Sequence, residues 1–166
     1  MIRPSKLLEQ EVGLGLRKAF TPCLIYREYD FPIHRVQQAD IHFRMPQAID
    51  FMVLGRTFNL AFEVKHTQSS TFRFDMVRDS QLKFLMNFQE KAGESFIIIG
   101  TDRPQPRISL ITFANFLRLK QVIGKESINF GSDLIQFKQF FLELGRIQMK
   151  KNYYIDFSYL KQKLKM

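Results

Sequence analysis

The chain has 166 residues, 45% of them hydrophobic, which is long enough for one domain with a substantial core. Its 25 Lys and Arg exceed its 16 Asp and Glu, and the net charge of +9 favours a phosphate polymer as partner over a merely basic, soluble surface. The absence of an 18-residue apolar run and the single cysteine, Cys23, argue against a membrane span, an internal disulfide and a multi-cysteine metal site. The N-terminus lacks the apolar core of a signal peptide, so we expect a cytoplasmic protein.

The first part of the chain predicts a helix, a strand and a segment with little core pattern. Residues 5–20 have a serine that can cap a helix and an apolar face at helical spacing, and Thr21-Pro22 ends that helix. Residues 23–29 alternate apolar and polar side chains, as a strand does. Residues 31–44 carry two histidines and two arginines, and we predict a projecting arm or hairpin there.

Residues 48–54 and 57–65 are predicted as two antiparallel strands joined by a turn at Gly55-Arg56. A tight turn at this position would bring Asp50, on the first strand, close to Glu63, near the end of the second. The two strands therefore predict a pair of neighbouring carboxylates.

The second strand ends in Glu63-Val64-Lys65. Because side chains alternate along a strand, Glu63 and Lys65 point to one side and Val64 points into the core. Two carboxylates and an ammonium are the minimal set for cutting a phosphodiester with magnesium, since the carboxylates hold the cation and the lysine steadies the attacking water and the phosphate. A Glu-x-Lys pair alone is common on solvent faces, but this strand is otherwise apolar, so both charges need partners.

The rest of the chain adds strands and helices, which together predict a mixed α/β sheet with helices on its faces. The predicted elements are a polar loop at 66–74, a helix at 79–91, strands at 95–100 and 107–112, a helix at 113–121, a loop at 124–135, and helices at 137–143 and 156–164. The histidines His34, His42 and His66 show no paired helix spacing, so zinc is disfavoured and surface histidines are the simpler explanation.

The order of a helix glutamate, an aspartate, Glu-x-Lys and a helix glutamine resembles the PD-(D/E)xK nuclease superfamily. In finer detail the chain resembles the RecU family of Holliday junction resolvases, from about Glu9 to Leu164. The stretches that carry this likeness include Pro46-Gln47-Ala48-Ile49-Asp50-Phe51, Phe62-Glu63-Val64-Lys65, Asp79-Ser80-Gln81, Phe96-Ile97-Ile98-Ile99, Lys125-Glu126-Ser127-Ile128 and Tyr154-Ile155-Asp156-Phe157. The resemblance implies a restriction-endonuclease-like mixed β-sheet flanked by helices, forming a single nuclease domain over residues 1–166. Residues 31–45 would form an arm or stalk ahead of the active-site strands.

The resemblance also implies roles for individual residues. Asp50 and Glu63 would be metal ligands, Lys65 the catalytic lysine, and the backbone carbonyl of Val64 a further metal contact. Gln81 matches the helical glutamine that helps to order the site and is counted with both the catalytic and the metal-site residues. The implied cofactor is Mg²⁺, with Mn²⁺ as a substitute, which suits oxygen ligands.

Two further positions follow from the resemblance. Glu9 fits the glutamate of the first helix and Glu11 is the alternative, while a solvated helix glutamate is the simpler explanation for either. The family carries a stalk ahead of the Asp50 position that enters the junction centre. Here residues 31–45 occupy that place but are shorter and different in sequence.

Basic residues around these strands predict DNA contacts as a cluster, although each of them alone is better explained as a solvated charge. The predicted DNA-contacting residues are Arg35, Arg44, Arg73, Arg78 and Lys83. The resemblance adds Thr67, which matches a polar position of the family that could contact phosphate. Phe72 and Phe74 could stack on unpaired bases at a branch point or pack under the loop that carries them.

These expectations describe a magnesium-dependent endonuclease that resolves four-way DNA junctions by paired symmetric nicks in homologous recombination and repair. It would act as a homodimer, with recombination proteins as further partners, in the cytoplasm at the nucleoid. The alternatives are a catalytically inactive branched-DNA-binding protein, another PD-(D/E)xK structure-specific nuclease, or an adaptor whose basic face aids solubility.

Overall fold

The structure is a computed structural model that describes residues 3–27, 49–149 and 152–164. Within these ranges the chain forms five α-helices and ten strands. The helices are α1 (Pro4–Ala19), α2 (Asp79–Lys91), α3 (Phe113–Ile123), α4 (Leu134–Phe137) and α5 (Ser158–Lys163). The strands are β1 (Leu24–Arg27), β2 (Phe51–Leu54), β3 (Asn59–Thr67), β4 (Thr71–Arg73), β5 (Glu94–Thr101), β6 (Arg107–Thr112), β7 (Ser127–Asn129), β8 (Leu142–Glu143), β9 (Arg146–Met149) and β10 (Asn152–Ile155).

Six strands form one mixed sheet in the order β1-β2-β3-β5-β6-β8. Neighbouring strands are antiparallel except β3 and β5, which are parallel because α2 carries the chain back between them. Two small antiparallel pairs, β4–β7 and β9–β10, lie outside this sheet. The predicted mixed sheet flanked by helices is therefore confirmed.

The sheet is buried on both faces, and β3 runs through its middle. Phe62 and Val64 belong to the cluster that α1 covers, whereas Ala61 belongs to the cluster that α2 and α3 cover. Glu63 and Lys65 share the face of Ala61 because side chains alternate along a strand. The polar residues of the candidate site thus emerge from an almost continuous apolar strand, as is typical of strands covered on both sides.

The long elements follow the sequence predictions closely. Helices α1, α2 and α3 and strands β2, β3, β5 and β6 all occur at the predicted positions, with ends that differ by a few residues. Helix α1 begins at Pro4 rather than at a cap on Ser5, because proline suits the first helical position. The predicted helix at 156–164 is the shorter α5.

The predicted helix at 137–143 is wrong. Helix α4 ends at Phe137, a 3-10 turn covers Lys138–Phe140, and β8 then pairs with β6, where Leu142 lies opposite Leu110. Phe137 and Phe140 are both buried against the core. Their packing, together with the pairing of β8 with the edge of β6, determines the backbone conformation here in place of a helix.

Two predicted loops contain short strands. Residues 66–74 hold the end of β3 and all of β4, and residues 124–135 hold β7, with which β4 pairs. The β9–β10 hairpin was not predicted. Strands β4 and β7 have three residues each, which is too short to display alternation, and they pair with each other across a long stretch of sequence.

The predicted arm at 31–45 lies outside the described residues, as do Arg35 and Arg44, and the single-domain organisation stays a prediction. Within the described ranges, no helix combines the length and apolar character that a membrane crossing requires.

Candidate active site

The antiparallel register of β2 and β3 brings Asp50 beside Glu63. Phe51 lies opposite Phe62, so Asp50, the residue before β2, falls next to Glu63. The Asp50 carboxylate accepts a hydrogen bond from the Val64 backbone N–H at 2.7 Å. The turn at Gly55-Arg56 therefore assembles the two carboxylates as its position in the sequence predicts.

The Glu63 side chain is buried, with only 1% of its residue surface exposed. Its Oε1 atom lies 2.7 Å from the Lys65 Nζ atom and accepts a hydrogen bond from the Gln81 Nε2 atom at 2.6 Å. Its Oε2 atom is also buried but has no hydrogen-bond donor among the described residues. One carboxylate oxygen is thus held in place, and the other is left without a protein donor.

Burial raises the pKa of Glu63, because the charged form loses its hydration, and all contributions together give a pKa of about 8 instead of 4.5. The negative charge of Asp50 raises this pKa further, whereas the charge and hydrogen bond of Lys65 and the charge of Arg78 lower it. Desolvation and the repulsion between the two carboxylates together therefore outweigh the nearby cations. A bound cation would relieve that repulsion.

Gln81 connects this strand to the first turn of α2. Its side chain is buried, its Nε2 atom donates to Glu63, and its Oε1 atom accepts from the Arg78 backbone N–H at 3.0 Å. The second bond satisfies one of the free N–H groups at the start of the helix. Gln81 thus fixes the Glu63 carboxylate and the helix start together, and its amide oxygen already has a partner.

Glu9 and Glu11 lie on different sides of α1. Glu9 forms an ion pair with Arg27 at 2.8 Å, and Arg27 lies opposite Phe51 in the β1–β2 register, one residue from Asp50. Glu11 is buried and pairs with Arg146 of β9 at 2.9 Å, away from that strand end. Glu9 therefore contacts the strand that borders the candidate site, through Arg27, and Glu11 does not. No three His, Cys, Asp or Glu side chains converge among the described residues, so Glu9 does not complete a cluster of three carboxylates.

The predicted DNA-contacting residues that the structure describes lie around the start of α2 and the end of β3. Arg78 directly precedes α2, Lys83 lies on its second turn, and both are exposed. Exposed Arg73 lies at the end of β4 and forms an ion pair with Asp75. The Thr67 hydroxyl lies 3.1 Å from the Ser69 hydroxyl and accepts from the Ser69 backbone N–H. Thr67 therefore orders the loop that leaves the Lys65 strand.

Phe72 and Phe74 are core residues, with 0% and 2% of their surface exposed. Their rings meet edge to face at 6.3 Å, and Phe74 also contacts Phe116 of α3. The stacking interpretation is therefore wrong and the packing interpretation correct, because buried rings cannot reach a DNA base.

His66 is another residue whose surroundings the sequence did not reveal. Its side chain is only 9% exposed, and its Nε2 atom lies 3.0 Å from a carboxylate oxygen of Asp102. The surface-histidine interpretation is wrong for this position. The parallel pairing of β3 with β5 brings Asp102 there, and no short motif could have indicated a partner 36 residues away.

The RecU family model, described as recombination protein U, matches residues 8–163. The chain belongs to the RecU family. This membership confirms the predicted Holliday junction resolvase, an endonuclease of DNA recombination and repair. Among solved structures the chain is similar to Hjc of Archaeoglobus fulgidus, a Holliday junction resolvase from an archaeal hyperthermophile, with 17% identity and a TM-score of 0.42 over 65% of this chain and 76% of that one. No curated protein matches this RecU-family chain.

Proposed function

We propose that this RecU-family protein resolves four-way DNA junctions by magnesium-dependent, paired and symmetric nicks. The carrying observation is the geometry of Glu63, a buried carboxylate beside Asp50 that is held by Lys65 and Gln81. Burying one carboxylate beside another without a cation opposes folding. The same two groups supply the oxygen ligands that a hard divalent cation prefers.

The residues present fit a magnesium ion. Glu63 offers a buried oxygen without a protein donor among the described residues, Asp50 offers a neighbouring carboxylate, and the Val64 carbonyl belongs to the residue whose backbone N–H binds Asp50. Gln81 positions Glu63, and a direct ligand role would require its amide oxygen to leave the Arg78 N–H. Bound Mg²⁺, or Mn²⁺ in its place, would lower the pKa of a water and neutralise charge on the leaving 3′ oxygen.

Lys65 supplies the protein's own contribution to the reaction. Its ammonium lies 2.7 Å from Glu63 Oε1, so it stands where the attacking water and the scissile phosphate meet the carboxylates. It donates hydrogen bonds to both and aligns the water oxygen with phosphorus for in-line attack, which forms the new P–O bond as the bond to the 3′ oxygen breaks. The proton lost by the water passes to solvent, and the 3′ oxygen takes up a proton from solvent.

The remaining predicted residues bind the substrate. Arg78, Lys83 and Arg73 surround the start of α2, and Thr67 ends the strand that carries Lys65, so these groups contact phosphates on either side of the cut. Arg35 and Arg44 extend the contact further along the arms. Glu9 supports the site through Arg27, beside the start of β2.

Resolution of a junction needs two nicks related by a twofold axis, which a homodimer provides. We accordingly propose a homodimer that acts with recombination proteins on branched DNA in the cytoplasm, at the nucleoid.

The decisive experiment compares four-way, flap and linear duplex DNA of matched sequence in the presence of Mg²⁺. We expect the four-way substrate to be cut in paired symmetric nicks, and Glu63→Ala and Lys65→Ala proteins to bind it without cutting it. Lys91→Ala, which alters an exposed lysine at the far end of α2, is the control. Equal cutting of flap DNA would indicate another structure-specific nuclease, and binding without cutting by the unaltered protein would indicate an inactive DNA-binding protein. Full activity of either site variant would overturn the proposed site.

A further inference from the structure

Two carboxylates hold the chain on either side of Lys65. The Asp50 carboxylate accepts a hydrogen bond from the backbone N–H of Val64, the residue before the lysine, at 2.7 Å. The Asp102 carboxylate accepts a hydrogen bond from the ring Nε2–H of His66, the residue after the lysine, at 3.0 Å. Asp50 belongs to the candidate active site, whereas Asp102 and His66 have no role in the cutting reaction proposed above.

The end of β3 needs support because one of its two neighbouring strands stops earlier. In the described chain, the pairing of β2 with β3 ends where Phe51 lies opposite Phe62, three residues before Lys65. From there to Thr67 the described part of the sheet pairs β3 only with β5, on its other side. A strand end with one neighbour opens more easily than a strand between two neighbours, because fewer hydrogen bonds hold its backbone.

Asp102 joins this end of β3 to β5 by two hydrogen bonds. Besides the bond from His66, the Asp102 backbone N–H donates to the Thr67 carbonyl oxygen at 3.2 Å. This second bond lies one residue beyond the last register pair, in which Thr67 is opposite Thr101. Asp102 thus holds both residues that follow Lys65 on β3, and a displacement of those residues would carry the lysine with it, since the peptide units between them are rigid.

The His66 ring is packed inside the fold next to Asp102. Its side chain is only 9% exposed, and His66 lies opposite Gly100 in the β3–β5 register. A Cβ atom on Gly100 would lie 3.2 Å from the His66 ring and 2.6 Å from the side chain of Leu8 on α1. The ring and Leu8 therefore fill the space above this glycine, so packing and the hydrogen bond together fix the ring.

We propose that Asp102 and His66 are positioning residues for the cutting reaction, which hold the end of β3 so that the Lys65 ammonium meets the attacking water and the phosphate. This inference rests on the proposed function, because it assigns the support of the same lysine. Lys65 is then held at both ends, at its ammonium by Glu63 at 2.7 Å and at its backbone through the residues that flank it. Such support matters because a catalytic group must stay within about 0.5 Å of its productive position, and a misplacement of about 1 Å can cost roughly a hundredfold in rate.

The first test compares two substitutions that both remove the charge of Asp102. Asp102→Asn keeps an oxygen that can accept the His66 hydrogen bond, whereas Asp102→Ala does not. With junction and Mg²⁺ saturating, we expect the cutting rate to fall about tenfold in Asp102→Ala but less than about twofold in Asp102→Asn. The KM for the junction and the half-maximal Mg²⁺ concentration should be the same in both variants, which a general loss of structure would not leave unchanged.

Glu143→Ala is the control for this comparison. It removes an exposed carboxylate at the edge of the sheet that pairs with Arg107 at 3.4 Å, and it should cut as the unaltered protein does. Equal cutting rates in Asp102→Ala and Asp102→Asn would overturn the positioning role.

The second test does not depend on cutting. Amide hydrogen exchange is measured by NMR in the full-length protein without DNA, for the unaltered chain and both Asp102 variants. We expect faster exchange at residues 64–67 in Asp102→Ala, restored in Asp102→Asn, because the end of β3 opens when the His66 bond is lost. Residues 96–98, in the middle of β5, should exchange as in the unaltered protein, which separates local opening from general destabilisation.

The two tests separate failure of this inference from failure of the proposed function. Unchanged exchange in Asp102→Ala, or faster exchange without slower cutting, would overturn the positioning role and leave the proposed function intact. If the exchange result is as expected but the unaltered protein cuts no junction, the proposed function is overturned, and the support of the strand end by Asp102 stands.

Discussion

Among single residues, Glu63 gives the clearest indication that this fold binds a ligand. Its side chain is buried beside Asp50, and its pKa, raised to about 8, means that ionising the carboxyl in the folded protein costs free energy. Lys65 and Gln81 orient the group without removing the cost of ionising it. A group with these properties weakens folding once it is charged, so its presence argues for a ligand that the folded protein must bind.

The pKa of Glu63 leads to a prediction on stability and pH. The unfolded chain releases this proton near pH 4.5 and the folded chain near pH 8, so the folded state holds more protons between those values and its stability falls as pH rises. We expect the Tm measured without metal to fall less between about pH 5 and about pH 8 in Glu63→Gln than in the unaltered protein, and Mg²⁺ at the higher pH to restore part of the loss only in the unaltered protein. Equal falls in both proteins would contradict this assignment.

Gln81 provides a second prediction at this scale. Gln81→Ala removes the donor to Glu63 and the acceptor for the Arg78 N–H, so we expect a stability loss of about 1–2 kcal/mol and a higher Mg²⁺ concentration for half-maximal cutting. Denaturant unfolding and a Mg²⁺ titration of the cutting rate measure the two effects. Gln89→Ala, exposed on the same helix, is the control. An unchanged Mg²⁺ requirement would leave Gln81 with a purely structural role.

Among the elements, helix α1 depends on one close contact. A Cβ atom on Gly15 would lie 2.1 Å from the Ile155 carbonyl oxygen of β10, whereas one on Gly13 would meet only the Phe51 side chain, at 3.1 Å. A backbone carbonyl cannot move aside as a side chain can. Close packing of α1 against β10 therefore requires glycine at position 15.

We expect Gly15→Ala to destabilise the protein by about 1–3 kcal/mol, although alanine is the better helix former. Gly13→Ala, where helix propensity and a small side-chain adjustment nearly cancel, should change stability little. Chemical denaturation of both variants tests this contrast. Equal stability of the two would show that α1 and β10 can separate without loss.

The elements also explain what the sequence could and could not predict. Helices α1, α2 and α3 have enough turns to display an apolar face, and the β2–β3 hairpin has a glycine turn that pairs Asp50 with Glu63 locally. Strands β8 and β4 are too short to display a period, and distant partners stabilise them. The partner of His66 was hidden for a similar reason, because it follows from the register between β3 and β5.

On the scale of the whole molecule, the net charge of +9 and the family membership indicate a DNA-bound enzyme whose two cuts must be coordinated. We predict that light scattering will give a dimer with DNA present. In mixed dimers of unaltered and Glu63→Ala subunits, each subunit should cut its own strand, so most junctions should receive one nick. Monomer mass with and without DNA, or paired nicks from mixed dimers, would refute this arrangement.

The parallel β3–α2–β5 connection divides the chain into a part that carries the candidate active-site residues and a part that does not. Asp50, Glu63, Lys65 and Gln81 all lie before β5, on the hairpin and the helix that follows it. From β6 onward the described chain supplies none of these four side chains. A shift in the register of the β2–β3 hairpin would therefore displace both carboxylates and the lysine together, whereas a change from β6 onward reaches them only through packing.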